Sequence, residues 1–185
     1  MAGSLIKIDE EIVTSAVASV TLGGANWDSS YDVYMVAING VKLASDQDLN
    51  LRVLKSSSPD TTYNYDGASK ILRTDTTFSN SGYVNNDSWF MDFIGNGVDE
   101  MGNGILYLFN FNNSSEYSFA TQEGVAIDDS NPLLKGRTGG VVHTVASASN
   151  GLIFFGLSSV NISAGRFSLF GLAKQKYVKI GEIWH

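Results

Sequence analysis

Residues 12–22 read IVTSAVASVTL, and the reading of this stretch decides the fold class. Ile12, Ala16, Ala18, Val20 and Leu22 share one parity, and Val13, Ser15, Val17, Ser19 and Thr21 share the other. A period of two with this content predicts a half-buried strand with one face of small residues. A helix is the rival, because alanine is frequent. The β-branched content and the lack of any charge argue against it: an exposed helix face is built from long charged side chains, whereas strands take Val, Ile and Thr.

Working outward, Leu5, Ile6 and Ile8 form a short apolar start, and Gly23-Gly24 closes the strand. Residues 31–38, YDVYMVAI, predict the next strand, with Asn39-Gly40 as a tight turn. Residues 49–55, LNLRVLK, alternate, and SSSPDT (56–61) is a turn. Residues 62–73 predict a further strand, with a short helical turn over Ala68 to Arg73 as the alternative. The polar stretch 74–88 predicts an exposed loop and WFMDFI (89–94) a strand. Asn96-Gly97 and Asn103-Gly104 bracket a hairpin loop, and ILYLFNF (105–111) predicts a central strand buried on both faces. Asn112 to Glu116 turns the chain into YSFAT (117–121). Residues 122–138, with Asp128-Asp129 and Asn131-Pro132, predict a second long loop. Strands resume at 140–147 and 152–157, joined across Asn150-Gly151, and a last pair is expected at 166–172 and 177–184. Short strands with turn signals about every ten residues predict an all-β, single-domain antiparallel β-sandwich or barrel.

Composition agrees. The chain has 185 residues, the size of one domain, with 19 glycines, two prolines and no cysteine. Disulfides, thiol catalysis and Cys-ligated zinc are excluded. Only two histidines exist, His143 and His185, so one chain cannot supply a three-histidine metal site. The net charge of −7 argues against nucleic acid as a partner, because phosphate binding needs clustered Lys and Arg. No apolar run approaches the roughly 18 residues of a membrane span. Met1 to Lys7 lacks the apolar core of a signal peptide. The expectation is a soluble chain without a classical export signal and without membrane insertion.

Four segments carry a resemblance: GSLIKIDEEIVTSAVASVTL (3–22), YLFNFNNSSEYSF (107–119), GGVVHTVASASNGLIFF (139–155) and SAGRFSLFGLAK (163–174). They resemble a family of tailed-bacteriophage virion structural proteins of marine and cyanobacterial phages. The closing small-Gly-x-Phe-x-Leu-Phe-Gly-Leu pattern resembles the ends of phage jelly-roll-like appendage domains. The resemblance spans residues 3–174 and implies a jelly-roll-like sandwich over 1–174. It further implies a virion localisation, assembly in the host cytoplasm and an oligomer on the head or tail, with no catalytic motif to transfer. This chain departs from the pattern in QKYVKIGEIWH (175–185), a C-terminal extension expected as an edge strand or contact arm.

The candidate chemistry is thin. Asp9-Glu10-Glu11, Asp46/Asp48, Asp99-Glu100 and Asp128-Asp129 are the acidic clusters. A glycosidase needs two carboxyls flanking one sugar, and adjacent acids on a strand point to opposite faces. Asp46-Gln47-Asp48 and Asn85-Asn86-Asp87-Ser88 offer oxygens to a structural Ca²⁺, but neither has the twelve-residue EF-hand spacing. No cofactor is expected. His143, in GGVVHTVAS, has no G-x-S-x-G nucleophile to serve and is expected half-buried or at an interface. The N-x-S matches at Asn86, Asn112, Asn113 and Asn161 are expected as Asn- and Ser-rich turns.

The aromatics matter more. Trp27, Tyr63, Tyr65, Tyr83 and Trp89 lie in or beside polar stretches, where rings either contact a sugar or protein or fold back as packing groups. Lys174, Lys176 and Lys179, with Tyr177 and Trp184, make the C-terminal tail a locally basic contact candidate. The tail and the 1–13 arm are the expected contact elements. Together these readings predict a non-enzymatic virion surface protein, with a lean to capsid decoration as a homo-oligomer. A closed ring, a trimer, is the expected form, giving heterologous contacts. The alternative is a tail-fibre tip or baseplate adhesin binding host surface glycans through 74–88 and 122–138.

Overall fold

The computed structural model describes residues 4–127 and 133–172. The strands, in chain order, are β1 (Leu5–Val13), β2 (Ser19–Gly23), β3 (Val33–Leu43), β4 (Gln47–Lys55), β5 (Ser58–Pro59), β6 (Tyr65–Arg73), β7 (Phe78–Asn86), β8 (Trp89–Ile94), β9 (Gly102–Phe109), β10 (Ser118–Ile127), β11 (Leu134–His143), β12 (Gly151–Gly156) and β13 (Ile162–Leu172). The only helical pieces among the described residues are two single 3₁₀ turns. All ladders are antiparallel. An eight-stranded sheet runs β1-β13-β3-β9-β10-β11-β6-β7. A smaller sheet runs β2-β12-β4-β5, with β8 also paired to β4. The chain passes repeatedly from one sheet to the other, in jelly-roll fashion, and the two sheets face each other across one core.

That core follows from the period-two pattern. Leu49, Leu51 and Val53 of β4 and Leu152 and Phe154 of β12 face Tyr34, Val36 and Ile38 of β3, Leu106 and Leu108 of β9 and Phe167 and Leu169 of β13. Each fully buried Leu, Val or Phe stabilises the fold by roughly 1.5–3 kcal/mol relative to exposure. Near one end of the core runs an aromatic column. Tyr34 meets Trp27 at 4.1 Å, Trp27 meets Phe111 at 5.9 Å and Phe111 meets Trp89 at 6.2 Å. Trp89 then meets Tyr65 at 5.8 Å, and Tyr65 meets the His143 ring at 4.9 Å. Such ring pairs add about 0.5–1.5 kcal/mol each beyond their buried area.

Several local expectations are corrected. Residues 12–22 are two strands, not one: β1 ends at Val13, β2 begins at Ser19, and they lie in different sheets. The small residues between them carry the chain across the sandwich, with Val17 bridged to Ile162, so the expected small-residue face does not form. Asn39-Gly40 is not a turn. Gly40, at φ 59°, sits where the β3 register shifts between Ile38 and Val41, and its N–H donates to Asn103 Oδ1 at 2.8 Å. The positive φ that an Asn-Gly pair supplies is taken up as a bulge, and β3 continues with Val41 and Leu43 buried. The Asn103-Gly104 pair likewise lies inside β9.

The expected loop 74–88 is mostly β7, joined to β6 by a turn in which Thr76 has φ 66°. Its polarity reflects an edge position, where one strand flank and much of each side chain meet water. The β6 range carries no helical turn. The expected loop 122–138 is largely β10 and β11, and residues 128–132 lie outside the described residues. The strand expected at 140–147 ends at His143 and the next begins at Gly151 in the other sheet, so 144–150 is an inter-sheet connection, not a tight hairpin. The strand expected at 105–111 is central but not buried on both faces: Leu106 and Leu108 are buried, Ile105 and Tyr107 exposed. Residues 5–13 are not a free arm, since β1 pairs with β13 along its length. The strand expected at 177–184 and the extension 175–185 lie outside the described residues.

Candidate interaction face

The inner face of the eight-stranded sheet covers the core, and the outer face has no layer upon it among the described residues. Residues opposite one another on antiparallel strands share a face, so the register places the outer side chains in rows. One row is Val142, Phe119, Phe109 and Val33, on β11, β10, β9 and β3. The next is Gly140, Thr121, Tyr107, Met35 and Phe170, running on to β13. The third is Thr138, Glu123, Ile105 and Ala37. Phe119 is 44% exposed, Tyr107 40% and Ile105 39%, while Val33, Met35, Phe109 and Phe170 are half-buried by their neighbours.

Two shallow depressions flank the Tyr107 ridge. One, of about 450 Å³, has a floor of Ala68, Gly140 and Thr121 between Phe119 and Asp66. The other, of about 430 Å³, lies over Ala37 and Gly104 between Asn39, Asn103 and Glu123. The centre is uncharged, and Asp66, Lys70 and Glu123 stand around it. An apolar, aromatic centre within a charged rim is the anatomy of a protein interface. A small concave site would instead enclose convergent polar groups.

The titratable groups inside the sandwich serve the fold. Asp60, from the turn between β5 and β6, is reached by His143 Nε2 at 2.9 Å and by Lys55 Nζ at 2.6 Å, both on Oδ2. Its Oδ1 accepts the Thr62 N–H at 3.0 Å and the Thr62 hydroxyl. Burial pushes the Asp60 carboxyl up, but the Lys55, Thr62 and His143 hydrogen bonds outweigh it and hold the group well below the usual carboxylate range. Against an ionised carboxylate, Nε2 of His143 is the donor. Burial pushes the imidazole below its ordinary value, and the Asp60 hydrogen bond restores only part of that. His143 is fully buried, not half-buried or at an interface as the sequence suggested. The Tyr65 hydroxyl donates to the Asp60 carbonyl at 2.7 Å and accepts the Val53 N–H, tying β6 to β4 and to the turn that carries Asp60. A second buried cluster sets Lys135 and Arg137 of β11 at 3.8 and 3.7 Å from Asp92 of β8.

The other sequence candidates fall as follows. Trp89 and Tyr65 are fully buried, and Trp89 Nε1 donates to the Val142 carbonyl at 3.0 Å. Tyr83 faces inward across Gly67, where an added Cβ would sit 2.4 Å from its ring, and its hydroxyl accepts the Phe90 N–H at 3.0 Å. Trp27 packs on Tyr34 and donates to Asn112 Oδ1 at 2.9 Å. These four rings fold back as packing groups because each neighbouring segment is a strand or a short connection, not a long loop. Tyr63 alone of the five is exposed, at 71%. Lys174, Lys176, Tyr177, Lys179 and Trp184 lie outside the described residues.

Of the calcium candidates, Asp46 Oδ1 accepts the Asn96 N–H and Asp87 pairs with Arg52 at 2.5 Å. No group of three acidic or histidine side chains that could hold a metal is present among the described residues. Asn112 of the N-x-S matches is a packing node: its amide donates to Tyr31 O at 2.6 Å and Tyr34 Oη at 2.7 Å. Sequence reasoning missed the outer face because it read 105–111 as buried on both sides. The signal was present in the alternation of Phe119, Thr121, Glu123 and Val125, half of which fell in an expected loop. No family model matches this chain, and neither a curated protein nor a solved structure matches it.

Proposed function

We propose that this chain is a non-enzymatic structural protein on the surface of a bacteriophage particle, seated as a homo-oligomer on the head lattice as a decoration or cement protein. The observation that supports an assembly role is the outer face of the eight-stranded sheet: Phe119, Phe109, Tyr107, Met35 and Ile105 adjoin across three neighbouring strands with no charge among them. A contiguous apolar surface of this kind marks an interaction site on a soluble domain. Its occupant in this reading is a neighbouring virion subunit, because the face is flat, aromatic and uncharged at the centre like the core of a subunit contact. The phage assignment rests on the four sequence segments that resemble virion proteins. The trimer expected from the sequence is the simplest ring in which each copy contributes this face to a different surface of the next.

Immunogold labelling of intact particles from the source phage tests the reading. Label over the head is the expected result. Label confined to the tail would replace decoration with the adhesin reading and turn attention to exposed Tyr63. Absence of label from particles, with the protein present in infected cells, would overturn the virion assignment.

A further inference from the structure

The eight-stranded sheet ends in two unlike edges. β1 is guarded: Lys7, Asp9, Glu10 and Glu11 lie on it and its register slips between Lys7 and Asp9. Charges and bulges are the devices by which sheet edges avoid pairing with another chain. From Phe78 to Tyr83 β7 has neither, and its register slips only beyond, where Val84 and Asn85 together lie opposite Asp66. Its sequence, FSNSGYVNN, carries no charge and no proline over nine residues, and among the described residues it pairs only with β6.

The register shows which backbone groups are open. The Arg73 N–H donates to the Thr77 carbonyl, and the pairs Ile71–Ser79, Ser69–Ser81 and Gly67–Tyr83 follow in the same phase. The odd-numbered positions of β7 from Thr77 to Tyr83 therefore bond to β6, and past the slip the Asn85 N–H donates to the Asp66 carboxylate. Phe78, Asn80 and Gly82 direct their N–H and C=O groups away from the sheet, and Val84 stands next in the same parity, where the register slips. These positions are symmetric about Ser81. Phe78 and Val84 are also the two most exposed apolar side chains of the sheet's described strands, at 66% and 73%.

We propose that β7 is a self-association edge that pairs antiparallel with β7 of a second copy about a two-fold axis through Ser81. In that register Phe78 lies opposite Val84 of the other copy, twice, and Asn80 lies opposite Gly82, the latter pairs with mutually open backbone groups. The contact joins the two large sheets into one continuous sheet and is isologous, so it accounts for the occupant as well as the edge. It stands on the strand itself and does not depend on the virion reading. In a particle it would link each copy of one ring to a copy of another, so that two trimeric rings make an even-numbered assembly.

Mass photometry and analytical ultracentrifugation of the full chain test it. Wild type is expected to contain an even number of copies. Asn80→Pro removes an outward N–H, which an edge strand tolerates, and is expected to dissociate the pair while the circular dichroism spectrum is kept. Phe78→Glu and Val84→Lys, on exposed side chains, are each expected to weaken association by about tenfold or more, and the double variant to regain it, because opposite charges then meet across the axis. If Asn80→Pro misfolds, the two charge variants decide. A monomeric wild type, an odd-numbered assembly untouched by all three changes, or a double variant no better than the singles would overturn the edge. Dissociation by Tyr107→Ser with none of the three edge changes having any effect would also overturn it, while leaving the assembly role of the outer face standing.

Discussion

The inner and outer faces of the eight-stranded sheet are built from the same strands and nearly the same residue types, yet they do different work. On β9 the inner residues Leu106 and Leu108 are wholly buried, and the outer residues Ile105 and Tyr107 are about two-fifths exposed. On β10 the inner face carries Ala120 and Gln122, and the outer face carries Phe119 and Val125. On these two strands the outer face is thus at least as rich in large apolar groups as the inner one. Apolar content alone does not mark a core: the difference is the second sheet, which covers one face and leaves the other.

The contrast is broken most directly at Trp89. Trp89→Ala empties the centre of the aromatic column and should cost roughly 3–5 kcal/mol in urea unfolding. A cost no larger than that of an outer-face substitution would erase the distinction between the faces. Next in size is Asp60→Ala, which leaves Lys55 without its counter-charge and the buried His143 Nε2 without its acceptor. Breaking a fully buried pair costs roughly 3–5 kcal/mol, and because Lys55 is partly exposed the expected loss is about 2–3 kcal/mol. A Tm unchanged from wild type would show that the cluster contributes nothing to the inner packing.

The same cluster gives the inner face a pH dependence. The folded pKa of His143 lies below its unfolded value, so below about pH 6.5 the unfolded chain binds more protons and stability falls. Asp60, also depressed, contributes stability that is present above about pH 3.9 and lost as pH falls toward its folded value. Both act in one direction: Tm should decline from pH 7 to 5 and more steeply below 4. His143→Gln should flatten the first part of that decline, and a Tm that rises on acidification to pH 5 would contradict the assignment. The smallest effect on folding belongs to the outer face. Tyr107→Ser should shift unfolding free energy by no more than about 0.5 kcal/mol, as exposed substitutions do, while weakening association or particle incorporation. A large loss of monomer stability with unchanged assembly would make the outer face structural.

Legibility in the sequence follows the same division. Strands within 31–38, 49–55, 62–73, 89–94 and 166–172 were readable because their apolar and β-branched content is local to each segment. β7 was not readable, because an edge strand needs no buried face and its Ser, Asn and Gly content is that of a loop. The Asn-Gly pairs at 39 and 103 misled for a physical reason: a residue with positive φ serves a bulge as well as a turn, and only the partner strand selects between them. For the candidate site, the aromatic positions drew notice, but four of the five rings proved to be packing groups, and the outer face went unrecognised.

By itself the sequence determined the all-β class with antiparallel strands, the exclusion of thiol chemistry and the acidic net charge. These depend on composition and on a period of two, which are properties of neighbours along the chain. Tertiary structure alone decided which parity of each strand is covered, which strands end a sheet, and that Trp27, Tyr34, Tyr65, Trp89, Phe111 and His143 form one column. Those facts depend on the pairing of segments tens of residues apart. A strand presents two equivalent faces and two equivalent flanks until another strand or sheet occupies one of them.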